Sequence, residues 1–155
     1  MSSREIFNST KIENVVIAQV LTADPTATVI DMADASSVNF LINMGASGDT
    51  LSGSVLFTIS LQDCADNSTF AAVTDAESLL IAIDGTLQAS ATSIVVDAPG
   101  EDSKNFEISY KVPGNKRYLK LIIAKTGTHT NGTPMSASAI KGYLKVSPES
   151  GKANA

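Results

Sequence analysis

The chain has 155 residues and a formal net charge of -5, with 17% charged and 43% hydrophobic residues. That length builds one domain around one sizeable core, and the acidic balance disfavours general binding to phosphate backbones, which calls for clustered Lys and Arg. Cys64 is the single cysteine, so no internal disulfide can form, while 19 Ser and 14 Thr stand where a helical protein would carry Glu, Lys, Arg and Leu; the composition leans to β.

Residues 1–13 are polar apart from Ile6, Phe7 and Ile12. They read as an N-terminal arm, either loose or ordered against a neighbour. Met1-Ser2-Ser3-Arg4-Glu5 opens no apolar run, so no signal peptide is expected. No stretch approaches the roughly 18 apolar residues of a membrane span. Strand is predicted for residues 14–21, ended by Asp24-Pro25, because proline cannot continue a ladder in a sheet centre. Residues 26–32 alternate, and residues 37–44 form a further strand closed by Gly45-Ala46-Ser47-Gly48-Asp49. Residues 54–62 carry the clearest pattern: Val55, Phe57, Ile59 and Leu61 alternate with Ser54, Leu56, Thr58, Ser60 and Gln62. Period two with one apolar face is a half-buried strand.

Residues 63–68 read as a polar loop, and residues 70–73 as a short strand or the lead into a turn. Thr74-Asp75-Ala76-Glu77 before Ser78-Leu79-Leu80-Ile81 predicts a capped helix start, Thr74 accepting from the amide three residues on. Residues 81–83 are open to a strand instead. Residues 92–97 read as strand, stopped by Ala98-Pro99-Gly100. Residues 106–112 and 118–124 alternate on either side of Pro113-Gly114-Asn115 and predict a hairpin. A polar loop covers residues 126–136. The last strand, residues 137–146, sets Ala137, Ala139 and Lys141 against Ser138, Ile140 and Gly142. A polar, flexible tail, residues 147–155, follows.

About eight short strands parted by Gly, Pro, Asn and Asp loops predict an all-β fold over residues 14–146, a two-sheet β-sandwich of jelly-roll-like form. An immunoglobulin-like sandwich is the alternative, although its paired Cys and core Trp are missing.

No chemical site emerges from the residues. His129 is the only histidine, among Thr128, Thr130 and Asn131, and is expected on an exposed loop, bonding locally or touching a partner. No G-x-S-x-G elbow nominates a nucleophile. One His and one Cys do not make a zinc site. Asp31 with Asp34, and Asp63 with Asp66, do not follow a calcium-loop spacing. Residues 45–50 lead into a strand and contain no Lys, so they read as a connecting turn rather than a phosphate cradle. Cys64 is expected to be a buried small side chain. No catalytic residue, metal or cofactor is therefore expected, and the chain is not expected to be an enzyme. Lys111, Lys116, Arg117, Lys120 and Lys125 crowd one stretch. They read as lysine protection of an edge strand or as a patch that docks an acidic partner. Candidate docking residues are thus Ile6, Phe7, Lys116, Arg117, Lys120 and His129.

Several segments in order carry a resemblance: Phe40-Leu41-Ile42-Asn43-Met44-Gly45, Leu51-Ser52-Gly53-Ser54-Val55-Leu56-Phe57, Leu61-Gln62-Asp63, Phe70-Ala71-Ala72-Val73-Thr74-Asp75-Ala76, Arg117-Tyr118-Leu119-Lys120-Leu121, and the loop from Thr126 to Pro134. Over residues 36–146 the chain resembles small virion proteins encoded in the structural gene clusters of tailed phages. The resemblance implies a capsid decoration (cement) protein, made in the host cytoplasm and carried on the outer capsid surface. Its implied partner is the major capsid protein, and it implies self-association as a homotrimer where capsomers meet. It implies neither nucleic acid nor membrane as partner, and no catalytic residues. A head–tail junction or tail-tube protein is the alternative placement. A carbohydrate-binding sandwich module is a second alternative; it usually needs exposed aromatics, and the chain is 5% aromatic without Trp.

Overall fold

The computed structural model describes residues 9–144, with side chains to Gly142. The expectations for Ile6, Phe7 and the tail from residue 147 lie outside the described residues. The strands are β1 (Lys11–Leu21), β2 (Val29–Asp31), β3 (Ala35–Met44), β4 (Leu56–Cys64), β5 (Ala71–Ala72), β6 (Leu79–Ile83), β7 (Thr86–Gln88), β8 (Ser93–Val96), β9 (Asn105–Lys111), β10 (Tyr118–Thr126) and β11 (Thr133–Leu144).

Two antiparallel sheets face each other. One runs β1-β11-β3-β9-β6-β7; the other runs β2-β10-β4-β5, with β8 also on β4. The pairing is nested like a long ribbon folded on itself: β1 with β11, β2 with β10, β3 with β9 and β4 with β8. Rolling that ribbon adds the contacts β11–β3 and β10–β4 and sends successive members to opposite sheets. This is the jelly-roll winding, and it rules out the immunoglobulin-like alternative, whose strands are ordered differently. The segment between β4 and β8 is an insertion that lengthens the first sheet through β6 and β7.

Alternation builds the core. Val38, Phe40, Ile42 and Met44 of β3, Phe106, Ile108 and Tyr110 of β9, Phe57, Ile59 and Leu61 of β4, and Leu119, Leu121 and Ile123 of β10 are all buried. Each of these large apolar side chains contributes roughly 1.5–3 kcal/mol by leaving water. Cys64 is buried, as expected.

Several local expectations are corrected. Residues 106–124 are not a hairpin: β9 pairs with β3 and β6, and β10 with β4 and β2, in the other sheet. The turn at Pro113 exists, with Lys116 N donating to Pro113 O at 2.9 Å, but it carries the chain across the sandwich. No helix follows Thr74. Asp75 is the cap of a single turn, its carboxylate accepting from Glu77 N and from the Ser78 hydroxyl, and β6 begins at Leu79. The sheet claims these residues because Leu79 and Ile81 reach the core, and tertiary burial outweighs a short helical signal. Strand β1 starts at Lys11, inside the stretch read as the arm. Strand β11 starts at Thr133, inside the stretch read as a loop.

Candidate functional site

The basic stretch is not a free patch. Lys116 Nζ lies 3.0 Å from Asp63 Oδ1, whose other oxygen accepts the Tyr110 hydroxyl at 2.7 Å. Burial, then the Asp63 hydrogen bond, pushes the Tyr110 phenol up. Arg117 donates through Nε and Nη2 to the two carboxylate oxygens of Asp31, both at 2.8 Å. Lys120 Nζ lies over the Phe70 ring, 3.9 Å from its centroid. Lys125 Nζ donates to Gly127 O. These contacts tie loops to the sandwich, and among the described residues Lys116 and Arg117 are the two cations of the stretch that meet a carboxylate of this chain.

The Arg117–Asp31 pair makes a prediction about acid. The Arg117 hydrogen bonds hold the Asp31 carboxyl at about 2, against an ordinary 3.8. A depressed carboxyl contributes stability that is present above pH of about 4 and is lost as the pH falls through about 2. The urea midpoint of the native chain should therefore fall between pH 4 and 2. In Arg117→Met the same midpoint should fall less steeply, its baseline at pH 6 being already lower; equal slopes would contradict the assignment.

His129 is not exposed. It is buried at 4% exposure, its ring 4.3 Å from that of Phe57, with Nε2 3.1 Å from Thr126 O. The loop that holds it is pinned from outside by Asp49, whose carboxylate accepts the amides of Thr130, Asn131 and Gly132. Ser47 joins the same end, its amide donating to Asp102 and its hydroxyl accepting from Thr133. Thus His129 is a structural plug under a loop, and its polar sequence neighbours concealed this.

Among the described residues no further layer covers the outer face of the six-stranded sheet. Strand registers align rows across it. One row is Ile12, Ile140, Asn39, Ser109 and Leu80; the next is Asn14, Ser138, Leu41, Glu107 and Ala82. Gly142, Ser37 and Lys111 follow on one side, and Ser136, Asn43 and Asn105 on the other. Glu107 and Lys111 are the only charges in these rows. Ile12, Leu41 and Leu80 are exposed. A shallow groove of about 460 Å³ crosses the face over Ser37, Ser109 and Gly142, between Leu80 and Ile140. Such a face suits contact with another flat surface more than capture of a small molecule. Among the described residues no group of three or more His, Cys, Asp or Glu could hold a metal ion, and no helix is long and apolar enough to cross a membrane.

The chain shares its fold with a prophage-derived protein. The crystal structure of SPBc2 prophage-derived protein YomS aligns with a TM-score of 0.50 and 10% identity, over 85% of this chain and 93% of that one. The Macrobrachium rosenbergii nodavirus P-domain aligns over 91% of each chain at 17% identity, but its TM-score of 0.29 is too low to argue from. No family model and no curated protein matches the sequence.

Proposed function

We propose that the chain is a non-catalytic structural protein of a tailed-phage virion, seated on the outer capsid shell at capsomer junctions and stabilising it as a decoration protein. The observation that carries this reading is the broad, nearly uncharged outer face of the six-stranded sheet. A surface of aliphatic, Ser and Asn side chains with two charges loses little by desolvation when it meets a capsid surface. The jelly-roll fold supports the reading, since such folds serve as rigid virion modules. Lys116 and Arg117 support it differently: they pair with Asp63 and Asp31 of this chain and tie loops to the module. Each contact contributes little, and repetition over a shell makes the sum large.

Purified chain added to undecorated capsids of its parent phage should bind and raise their melting temperature by a few degrees. Leu41→Glu with Leu80→Lys should remove both effects while leaving the chain folded, because both side chains are exposed. Capsids that neither bind the native chain nor melt later would end the proposal.

A further inference from the structure

The N-terminal part of β1 is held in an unusual way. Lys11 to Asn14 pairs with β11 in regular register, Lys11 opposite Lys141, Ile12 opposite Ile140, Glu13 opposite Ala139 and Asn14 opposite Ser138. The register then breaks before Val16 and again before Gln19. None of these four side chains is a core residue: Ile12 is 69% exposed, and the buried anchors of β1 are Val15, Val16 and Leu21. On its other side this section has no strand neighbour among the described residues, where β1 ends the sheet. Backbone pairs to one neighbour and no apolar burial make a section of low local stability.

What fastens it is a cluster of charges around a buried lysine. Lys141 is 2% exposed. Its Nζ lies 3.0 Å from Glu13 Oε1, 2.7 Å from Asp34 Oδ1 and 2.8 Å from Asp31 O. Lys11 Nζ reaches Glu13 at 3.2 Å and Asp34 at 3.6 Å. The charged groups facing Lys141 are therefore Glu13 and Lys11 on β1, Asp34 on the β2–β3 turn, and Asp31, which is itself paired with Arg117 ahead of β10. Both ammonium groups depend on the same two carboxylates.

We propose that Lys11–Asn14 is a latched strap, released when the carboxylate charge around Lys141 is lost in acid, ahead of and independently of the rest of the sandwich. Protonation leaves the Lys141 ammonium with the Asp31 carbonyl but without a counter-charge at bonding distance, and a buried charge in that position is strongly unfavourable. β3 lies on the inner side of β11 and is fixed by Val38, Phe40 and Ile42 in the core. The route to water therefore opens on the side of β1. Burial raises the Asp34 carboxyl, but the hydrogen bond and charge of Lys141 outweigh it and hold it below the ordinary range, so release comes in stronger acid than an ordinary carboxylate would set. Opening uncovers the β11 edge from Ser138 to Lys141, a strand edge that another chain can pair with.

Amide hydrogen exchange of the full chain, corrected for intrinsic rates, reads the strap directly. Between pH 6 and about pH 2 the protection of Ile12, Glu13 and Asn14 should fall by roughly tenfold or more, while Phe40, Phe106 and Leu121 keep theirs. Glu13→Gln should already show the loss at pH 6. Lys141→Met, which keeps a long side chain and removes the buried charge, should narrow the difference in strap protection between the two pH values. Loss of protection in step with the core strands would overturn the proposal. So would an unchanged acid response of the strap in a folded Lys141→Met.

Discussion

Gly127→Ala should lower stability by about 3–4 kcal/mol, which for a chain of this size lowers the melting temperature by roughly 10 °C. Gly127 has φ of +78°, a conformation that L side chains adopt only under strain. The space is closed as well: an added Cβ would run into the Ser54 carbonyl oxygen and press on Val55 Cα. These are backbone atoms on the neighbouring loop and cannot rotate away. The damage spreads because Gly127 starts the loop that carries His129 into the core. Gly53→Ala and Gly114→Ala are the controls. Neither has a positive φ or any atom within 4 Å of an added Cβ, so both should stay within about 0.5 kcal/mol of the native chain.

Phe57→Ala should cost about 4 kcal/mol in urea unfolding, near the upper end for buried aromatics. Phe57 is 0% exposed at the start of β4 and supports the His129 ring. His129→Ala alone should cost about 2 kcal/mol through lost packing and the lost bond to Thr126 O. Because the rings touch, the double variant should lose less than the sum of the two, by about 0.5–1.5 kcal/mol. Strict additivity would mean that His129 gains its place from the loop and not from the ring beneath it.

The sequence exposed the sandwich because burial in sheets follows a period of two. Residues 54–62, 106–112 and 118–124 alternate cleanly, and Phe57, Ile59, Leu61, Phe106, Ile108 and Tyr110 of the apolar faces lie in the core, while Val55 and Val112 at the ends are half-buried. Partners were less legible. Alternation says which face a side chain takes and nothing of which strand lies beside it, so β9 and β10 passed for a hairpin although they belong to opposite sheets. One real hairpin signal went unread. Asp84-Gly85 joins β6 to β7 with φ of 46° and 79°, the Asp-Gly turn that positive φ at both centres favours.

The site was legible only in part. Lys116, Arg117 and Lys120 were read together because they are near neighbours in sequence, but Asp63, Asp31 and Phe70, which they contact, come from elsewhere in the chain, and nothing local points to them. His129 was misplaced for the same reason: Phe57 lies far away in sequence. Alternation alone put Lys141 on the same side of its strand as Ala137 and Ala139, the side that is buried. That a lysine could stay there needed Glu13, Asp34 and the Asp31 carbonyl, brought together by the nested pairing. The outer sheet face is legible as a pattern of Ser, Asn, Leu and Ile at alternate positions, once the five strands β1, β11, β3, β9 and β6 are set side by side.

The central claim is that the useful part of this chain is a flat outer surface held rigid by a jelly roll. Cryo-electron microscopy of undecorated capsids mixed with saturating purified chain tests it most directly. The account predicts added density at the junctions between capsomers, with the six-stranded sheet turned towards the shell. Bare capsids at saturation, or density that meets the shell through the β10–β11 loop with the sheet face left in solvent, would contradict it.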